Sequence, residues 1–216
     1  MTQTLLLDHP APTDLLSAPA TQHAPHEIEL EWPESGTGMP LMAAFALRHS
    51  EREFADTPLS TVQLGALLWA ANGVNRNSGD GRTAPSARGL HEIDIYAALP
   101  QGVYRYDAPA HRLVLKREID ARNLTGYQDF VSRAPLDLIY VINYGRLVEM
   151  PAQQRDIFAA TSAGAIAQNV YLYCASADLA TVVRGWLNRR ALADILGLNE
   201  DELPVLSQTV GLRVTS

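Results

Sequence analysis

Between Glu92 and Leu115, three short segments of alternating hydrophobicity are joined by turns too tight for anything but antiparallel pairing. Glu92-Ile93-Asp94-Ile95-Tyr96-Ala97-Ala98-Leu99 alternates at period two. Pro100-Gln101-Gly102 turns it into Val103-Tyr104-Arg105-Tyr106, and Asp107-Ala108-Pro109-Ala110 turns that into Arg112-Leu113-Val114-Leu115. A parallel connection needs a crossover of about a dozen residues, which such turns cannot supply. Asp137-Leu138-Ile139-Tyr140-Val141-Ile142-Asn143-Tyr144 is more continuously apolar and suits the centre of the sheet. Pro204 to Val214 reads as a final strand.

Helical signals bracket these strands. Leu41, Met42, Phe45 and Ala46 share a face, predicting a short helix that ends at Arg48. Ser60-Thr61-Val62-Gln63 is a capping box and starts a helix bearing Leu64, Leu67, Leu68 and Ala71, which Asn72-Gly73 ends. Gln153 to Ser176 carries the longest helical signal, with Ile157, Phe158, Ile166, Val170 and Leu172 spread around much of its circumference. A helix apolar nearly all round should be buried, and the small residues Thr161 to Ala165 permit close approach at a subunit interface. Arg189 to Leu196 forms a shorter helix, ended by Gly197. Helices, antiparallel strands, a long helix and a strand make an α+β pattern rather than repeated βαβ units. Residues 39–216 then form one domain, preceded by an extended or partly disordered arm over residues 1–38, rich in proline and small residues.

The balance of 17 basic against 24 acidic side chains argues against a general nucleic-acid binder. A lone cysteine, Cys174, excludes an internal disulfide and any multi-cysteine metal site, and its apolar surroundings read as a packed thiol. No metal site is expected. No apolar run approaches the roughly 18 residues of a membrane span. Leu5-Leu6-Leu7 lacks the basic lead of a signal peptide, so the cytoplasm is the expected location. The glycines of Asn75 to Gly81 lack phosphate-loop spacing, so no NTP site is indicated.

Arg48-His49-Ser50-Glu51-Arg52-Glu53-Phe54 places two guanidiniums and a hydroxyl close together after the first helix. Forked donors suit phosphate oxygens and a short hydroxyl suits a polar chain, although the same spacing also occurs on solvated helix ends. Three further segments follow in order: Thr83-Ala84-Pro85-Ser86-Ala87-Arg88-Gly89 before the first strand, Ala167-Gln168-Asn169 in the long helix, and Val183-Arg184-Gly185-Trp186 beyond it. With Val210-Gly211 in the last strand, the ordered set resembles the FMN-dependent nitroreductase superfamily over about residues 40–213. It is most similar to the SagB-type dehydrogenase/oxidase branch, which carries Pro-Ser-Ala where other branches have Pro-Ser-Ser-x-Asn.

The resemblance implies a nitroreductase-like fold, with a mostly antiparallel central sheet flanked by helices, in an intertwined homodimer with FMN at the subunit interface. It places Arg48, Ser50 and Arg52 on the ribityl chain and phosphate, with His49 contributing mainly backbone. Pro85, Ser86 and Ala87 would lie against the flavin ring of the partner subunit, and Arg184-Gly185 would pass backbone close to the ring near N5. Gln128 falls where some relatives contact the pyrimidine edge. Many relatives carry a basic C-terminal tail; here either Arg213 takes its place or Arg48 and Arg52 suffice. Gly89 stands where the commoner motif has Asn, with Arg88 beside it, to favour an anionic substrate or the nicotinamide cofactor's phosphates, or else as surface charge. Trp69, Trp186, Tyr171 and His91 are candidates to line the substrate pocket, or else core.

The implied activity is ping-pong hydride transfer through flavin N5, with NADH or NADPH as donor and nitroaromatic, quinone-like or other small conjugated acceptors. The alternatives are a SagB-type oxidation of a peptide or small molecule, whose catalytic Lys/Tyr pair is not identifiable here, and a non-catalytic flavin-binding module.

Overall fold

In the computed structural model, which describes residues 23–34, 36–76 and 81–214, the most apolar strand lies inside the sheet, paired on both sides. This is β5 (Leu136–Asn143), buried on both faces. Leu136, Leu138, Tyr140 and Ile142 face one core, and Ile139 and Val141 face the other. On one side β5 pairs with β2 (Ile93–Leu99), which continues into the predicted hairpin of β3 (Gly102–Asp107) and β4 (Arg112–Arg117). On the other side it pairs with β7 (Glu202–Leu212) and then β6 (Leu179–Arg184). With β1 (Glu27–Glu29) at the far edge, the described residues form a seven-stranded sheet ordered β1-β4-β3-β2-β5-β7-β6, antiparallel throughout.

Three helices cover one face of the sheet. In α2 (Thr61–Asn72), the Ser60 side chain accepts from the Gln63 amide and the Gln63 side chain reciprocates, as the capping box requires. Leu64, Leu67, Leu68 and Ala71 face the larger core. Beside α2 lies α3 (Ala152–Ser176), burying Ala159, Ala163, Ile166, Val170 and Cys174. The all-round burial expected of this helix is not met within one chain. The sheet, α2 and α1 (Leu41–Leu47) cover only one side, so Ile157 is 65% exposed and a Cβ on Gly164 would meet nothing within 4 Å. On the opposite face of the sheet, α4 (Arg189–Leu196) packs Leu192 and Leu196 against Tyr96, Ile139 and Val141.

Two strands escape the periodicity of the sequence. β6 is a short β-branched run that ends within the Val183–Trp186 motif, and β1 falls within the segment expected to be an arm. β1 joins the sheet by backbone pairing with β4, and its flanking glutamates stay exposed, so no apolar alternation marks it. Residues 1–22 lie outside the described residues.

Candidate functional site

The motif that opens at Arg48 becomes a strip along the edge strand β6. The Arg48 amide closes α1 on the Ala44 carbonyl and its backbone then turns extended. The chain next docks through the Glu51 N–H, which donates to the Thr181 carbonyl at 2.9 Å. Tyr171 of α3 fixes the strip from beneath. Its hydroxyl accepts from the Val183 N–H at 3.0 Å and lies 2.8 Å from Ser50 Oγ, while the Arg48 guanidinium sits 5.3 Å over its ring. The expectation that Tyr171 lines a substrate pocket therefore gives way to a supporting role under the strip.

Charges along the strip are unequally committed. His49 is exposed and bonds its chain neighbours, with Nδ1 on the Leu47 carbonyl at 2.7 Å and Nε2 3.3 Å from Glu51. Arg213 is bracketed by Glu51 at 3.0 Å and Asp178 at 3.0 Å. The guanidiniums of Arg48 and Arg52 have no hydrogen-bond or ion-pair partner among the described residues, and Arg52 lines a cleft with Phe54, Phe130 and Arg133. The strip therefore offers two uncommitted guanidiniums and the Ser50 hydroxyl, a donor set that fits a phosphate with a polar chain attached.

Beyond the strip, β6 ends in Arg184-Gly185-Trp186. The Arg184 side chain points into the protein rather than outward. It is 6% exposed, and its Nη2 donates to Asp137 Oδ1 at 2.5 Å and to Thr209 Oγ1 at 2.6 Å. The Thr209 hydroxyl is hydrogen-bonded to the same carboxylate oxygen, and Asp137 is fully buried. Burial pushes the Asp137 carboxyl up to about 6, against the pull of the Arg184 charge and the Thr209 hydroxyl. Gly126 permits this arrangement, because a Cβ there would stand 2.1 Å from Arg184 Nη1. At the surface, what remains for a ligand is the backbone at Gly185, where a Cβ would meet only Leu206 at 3.6 Å. Nearby, Gln128 Oε1 and two guanidinium nitrogens of Arg184 are buried without a hydrogen-bond partner. Trp186 and Tyr127, 74% and 60% exposed, lean together with ring centroids 5.5 Å apart. Tyr127 carried no signal in the sequence beyond being aromatic beside Gln128.

The Pro85-Ser86-Ala87 turn is built elsewhere in the protomer. Ser86 Oγ donates to Glu92 Oε2 at 2.6 Å and accepts from the His91 N–H at 2.8 Å. Ser162 of α3 donates to the other oxygen of Glu92, also at 2.6 Å, and Glu92 is wholly buried. This network holds Arg88 at φ 56° and His91 at φ 48°, left-handed backbone that costs a non-glycine residue about 1–2 kcal/mol. The Ser86 proton is thus spent on Glu92 within the protomer, and Pro85 is the exposed side chain of the turn. Arg88 is exposed, its Nη1 3.9 Å from Met150 Sδ. Trp69 lies back along α2, with its Nε1–H on the Val74 carbonyl at 3.0 Å and its ring against Gly73. A cleft of about 610 Å³ opens beside the turn, lined by Pro85, Ser86, His91 and Arg82 among others. None of Arg48, Ser50, Arg52 and Arg184 lines it, so the two halves of the motif set do not meet within one chain.

Glu92 and Asp137 were both missed as functional supports. The only signal was a carboxylate next to or inside an apolar strand, which requires a partner without naming it.

Comparison with known proteins identifies the family and the fold. The model of the Nitroreductase family matches residues 46–212. "Putative nitroreductase MJ1384" of Methanocaldococcus jannaschii is 31% identical over 177 residues, spanning 77% of this chain and 88% of that protein. A crystal structure of a "putative nitroreductase" from Ralstonia eutropha JMP134 is 56% identical, with a TM-score of 0.87, covering 94% of this chain and 97% of that one. The Vibrio harveyi NADPH:FMN oxidoreductase complexed with NAD+ shares the fold alone, at 19% identity and TM-score 0.60 over 81% of this chain and 69% of that one.

Proposed function

The chain belongs to the Nitroreductase family, and from that premise we propose that it is an FMN-dependent oxidoreductase reducing small conjugated acceptors with NADH or NADPH. The observation that carries this reading is the pair of uncommitted guanidiniums, Arg48 and Arg52, flanking Ser50 on a strip that leads along β6 to the open backbone at Gly185. Arg48 and Arg52 would neutralise the phosphate, Ser50 would hydrogen-bond the ribityl chain, and the 185 backbone would lie against the ring. Bound FMN would supply two-electron hydride chemistry, which explains why no acid–base triad is needed. The exposed Trp186 and Tyr127 rings offer a flat acceptor a surface to stack on.

Because the strip residues do not line the cleft at Pro85 and Ser86, this reading has the flavin touch the two motif halves from different protomers. The exposed apolar side chains of α1, namely Leu41, Met42, Phe45 and Leu47, and the open side of α3 around Ile157 and Gly164 offer the surface for it. Sedimentation equilibrium of the flavin-loaded protein should give the mass of a dimer, and a flavin-loaded monomer would refute the shared site.

The function itself is tested by the purified protein's spectrum. The expected result is a flavin band near ~450 nm that bleaches when NADH or NADPH is added anaerobically and recovers with a quinone or nitroaromatic acceptor. Protein that stays colourless after incubation with saturating FMN overturns the proposal. Protein that binds FMN but never bleaches overturns the catalytic part of it.

A further inference from the structure

β2 and β3 pair only from Tyr96↔Arg105 to Leu99↔Gly102. Both strands run on past that point with other partners: β2 stays paired to β5 as far as Ile93↔Ile142, and β3 stays paired to β4 as far as Asp107↔Arg112. They therefore splay, and the notch between them is a cleft of about 290 Å³ whose walls include Arg82, Arg105, Arg146, Asp94, Asp107 and Asn72.

The charges in this cleft are not balanced. Asp94 is already met by Arg146, whose Nη2 lies 3.0 and 3.1 Å from the two carboxylate oxygens and whose Nη1 donates to the His91 carbonyl at 2.6 Å. Asp107 has the Arg112 Nε at 3.5 Å and accepts from the Ala110 N–H at 3.4 Å. The Arg105 guanidinium has no hydrogen-bond or ion-pair partner among the described residues. Arg82 is more telling, because its Nε and Nη1 are buried and lack any hydrogen-bond partner. A buried cationic donor left unpaired is costly, and proteins normally resolve it with a counter-charge. The two acids lining this cleft are already engaged, so no carboxylate among the described residues bonds Arg82. A net positive cleft in a protein of charge −7 is also a local attractor for anions.

We propose that this notch is a binding site for a small oxyanion, the carboxylate or phosphate group of a small molecule, held by Arg82 and Arg105 with Asn72 as a neutral donor. The volume lies at the lower edge of the roughly 300–1,000 Å³ range of small-molecule sites, so it admits a compact anion and excludes a nucleotide. Arg82 also lines the neighbouring cleft at Pro85 and Ser86, which places the bound anion next to that turn. The site does not depend on the flavin reading, since neither arginine belongs to the Arg48–Arg52 strip.

Isothermal titration calorimetry of the purified protein tests this, using inorganic phosphate in one arm and malonate in the other, with sodium chloride holding ionic strength constant. The expected result is saturable binding of one anion per chain in at least one arm, the tighter arm identifying the ligand's headgroup. Arg82→Gln and Arg105→Gln should each weaken binding by about tenfold or more, the effect of losing a charge-assisted contact. If Arg82→Gln does not fold, Arg105→Gln decides alone, as its side chain is partly exposed. Heat indistinguishable from that of chloride in both arms, or binding that survives the folded variants unchanged, overturns the proposal.

Discussion

Replacing Arg48 and Arg52 together with alanine is expected to strip the flavin from the protein, weakening its binding about a hundredfold or more. In the proposed function each guanidinium would make a charge-assisted contact to the phosphate, and among the described residues neither guanidinium has a hydrogen-bond or ion-pair partner, Arg48 resting only over the Tyr171 ring. The fold should survive, because both side chains lie on the strip rather than in the core, and the strip is held by the Glu51 amide and the Tyr171 hydroxyl. The measurement is a fluorescence titration of FMN into apo-protein beside a thermal melt. A variant that folds and still copurifies with stoichiometric flavin would remove the role assigned to the pair. Arg213→Ala should cost far less affinity, since its guanidinium is already held between Glu51 and Asp178.

The second large effect concerns stability. Asp137→Ala leaves Arg184 buried without its counter-charge, and the expected loss is about 3–5 kcal/mol, read from the midpoint of urea unfolding. That is a sizeable share of the roughly 5–15 kcal/mol that holds a domain of ordinary stability together. Asp137→Asn keeps the shape and tests the charge alone. Burial raises the folded carboxyl from the usual 3.8 to about 6. The folded state therefore holds this proton more tightly than the unfolded chain does. The resulting stabilisation is fully present below about pH 4 and is lost as pH rises through about 6. In Asp137→Asn this downward slope between about pH 4 and 6 should disappear. An alanine variant as stable as the parent would mean that Arg184 has another partner.

Much of the secondary structure was legible because it is written in local chemistry. The Ser60–Gln63 capping box, the Gly197 stop with its left-handed φ of 66° and the turns of the β2–β3–β4 meander all act over a few residues. The cationic strip was equally legible as composition, since Arg48, Ser50 and Arg52 are neighbours in the chain. What could not be read was which cation is free. Of 17 basic side chains, Arg184 and Arg213 looked as available as Arg48, yet one is buried on a carboxylate and the other bracketed by two.

The sequence by itself determined an antiparallel α+β sheet with an apolar interior strand, a long small-residue helix and a phosphate-suited strip at the end of the first helix. Tertiary structure alone decided that Asp137 meets Arg184, that Ser86 spends its proton on Glu92, and that Arg82, beside the notch where β2 and β3 part, keeps Nε and Nη1 buried without a hydrogen-bond partner. The physical reason is range. Propensity, caps and turns act between residues a few positions apart, whereas a buried charge is satisfied by whatever the ladder register brings across the sheet. Residues 47 positions apart share the Arg184–Asp137 contact, and no pattern within either strand names the other.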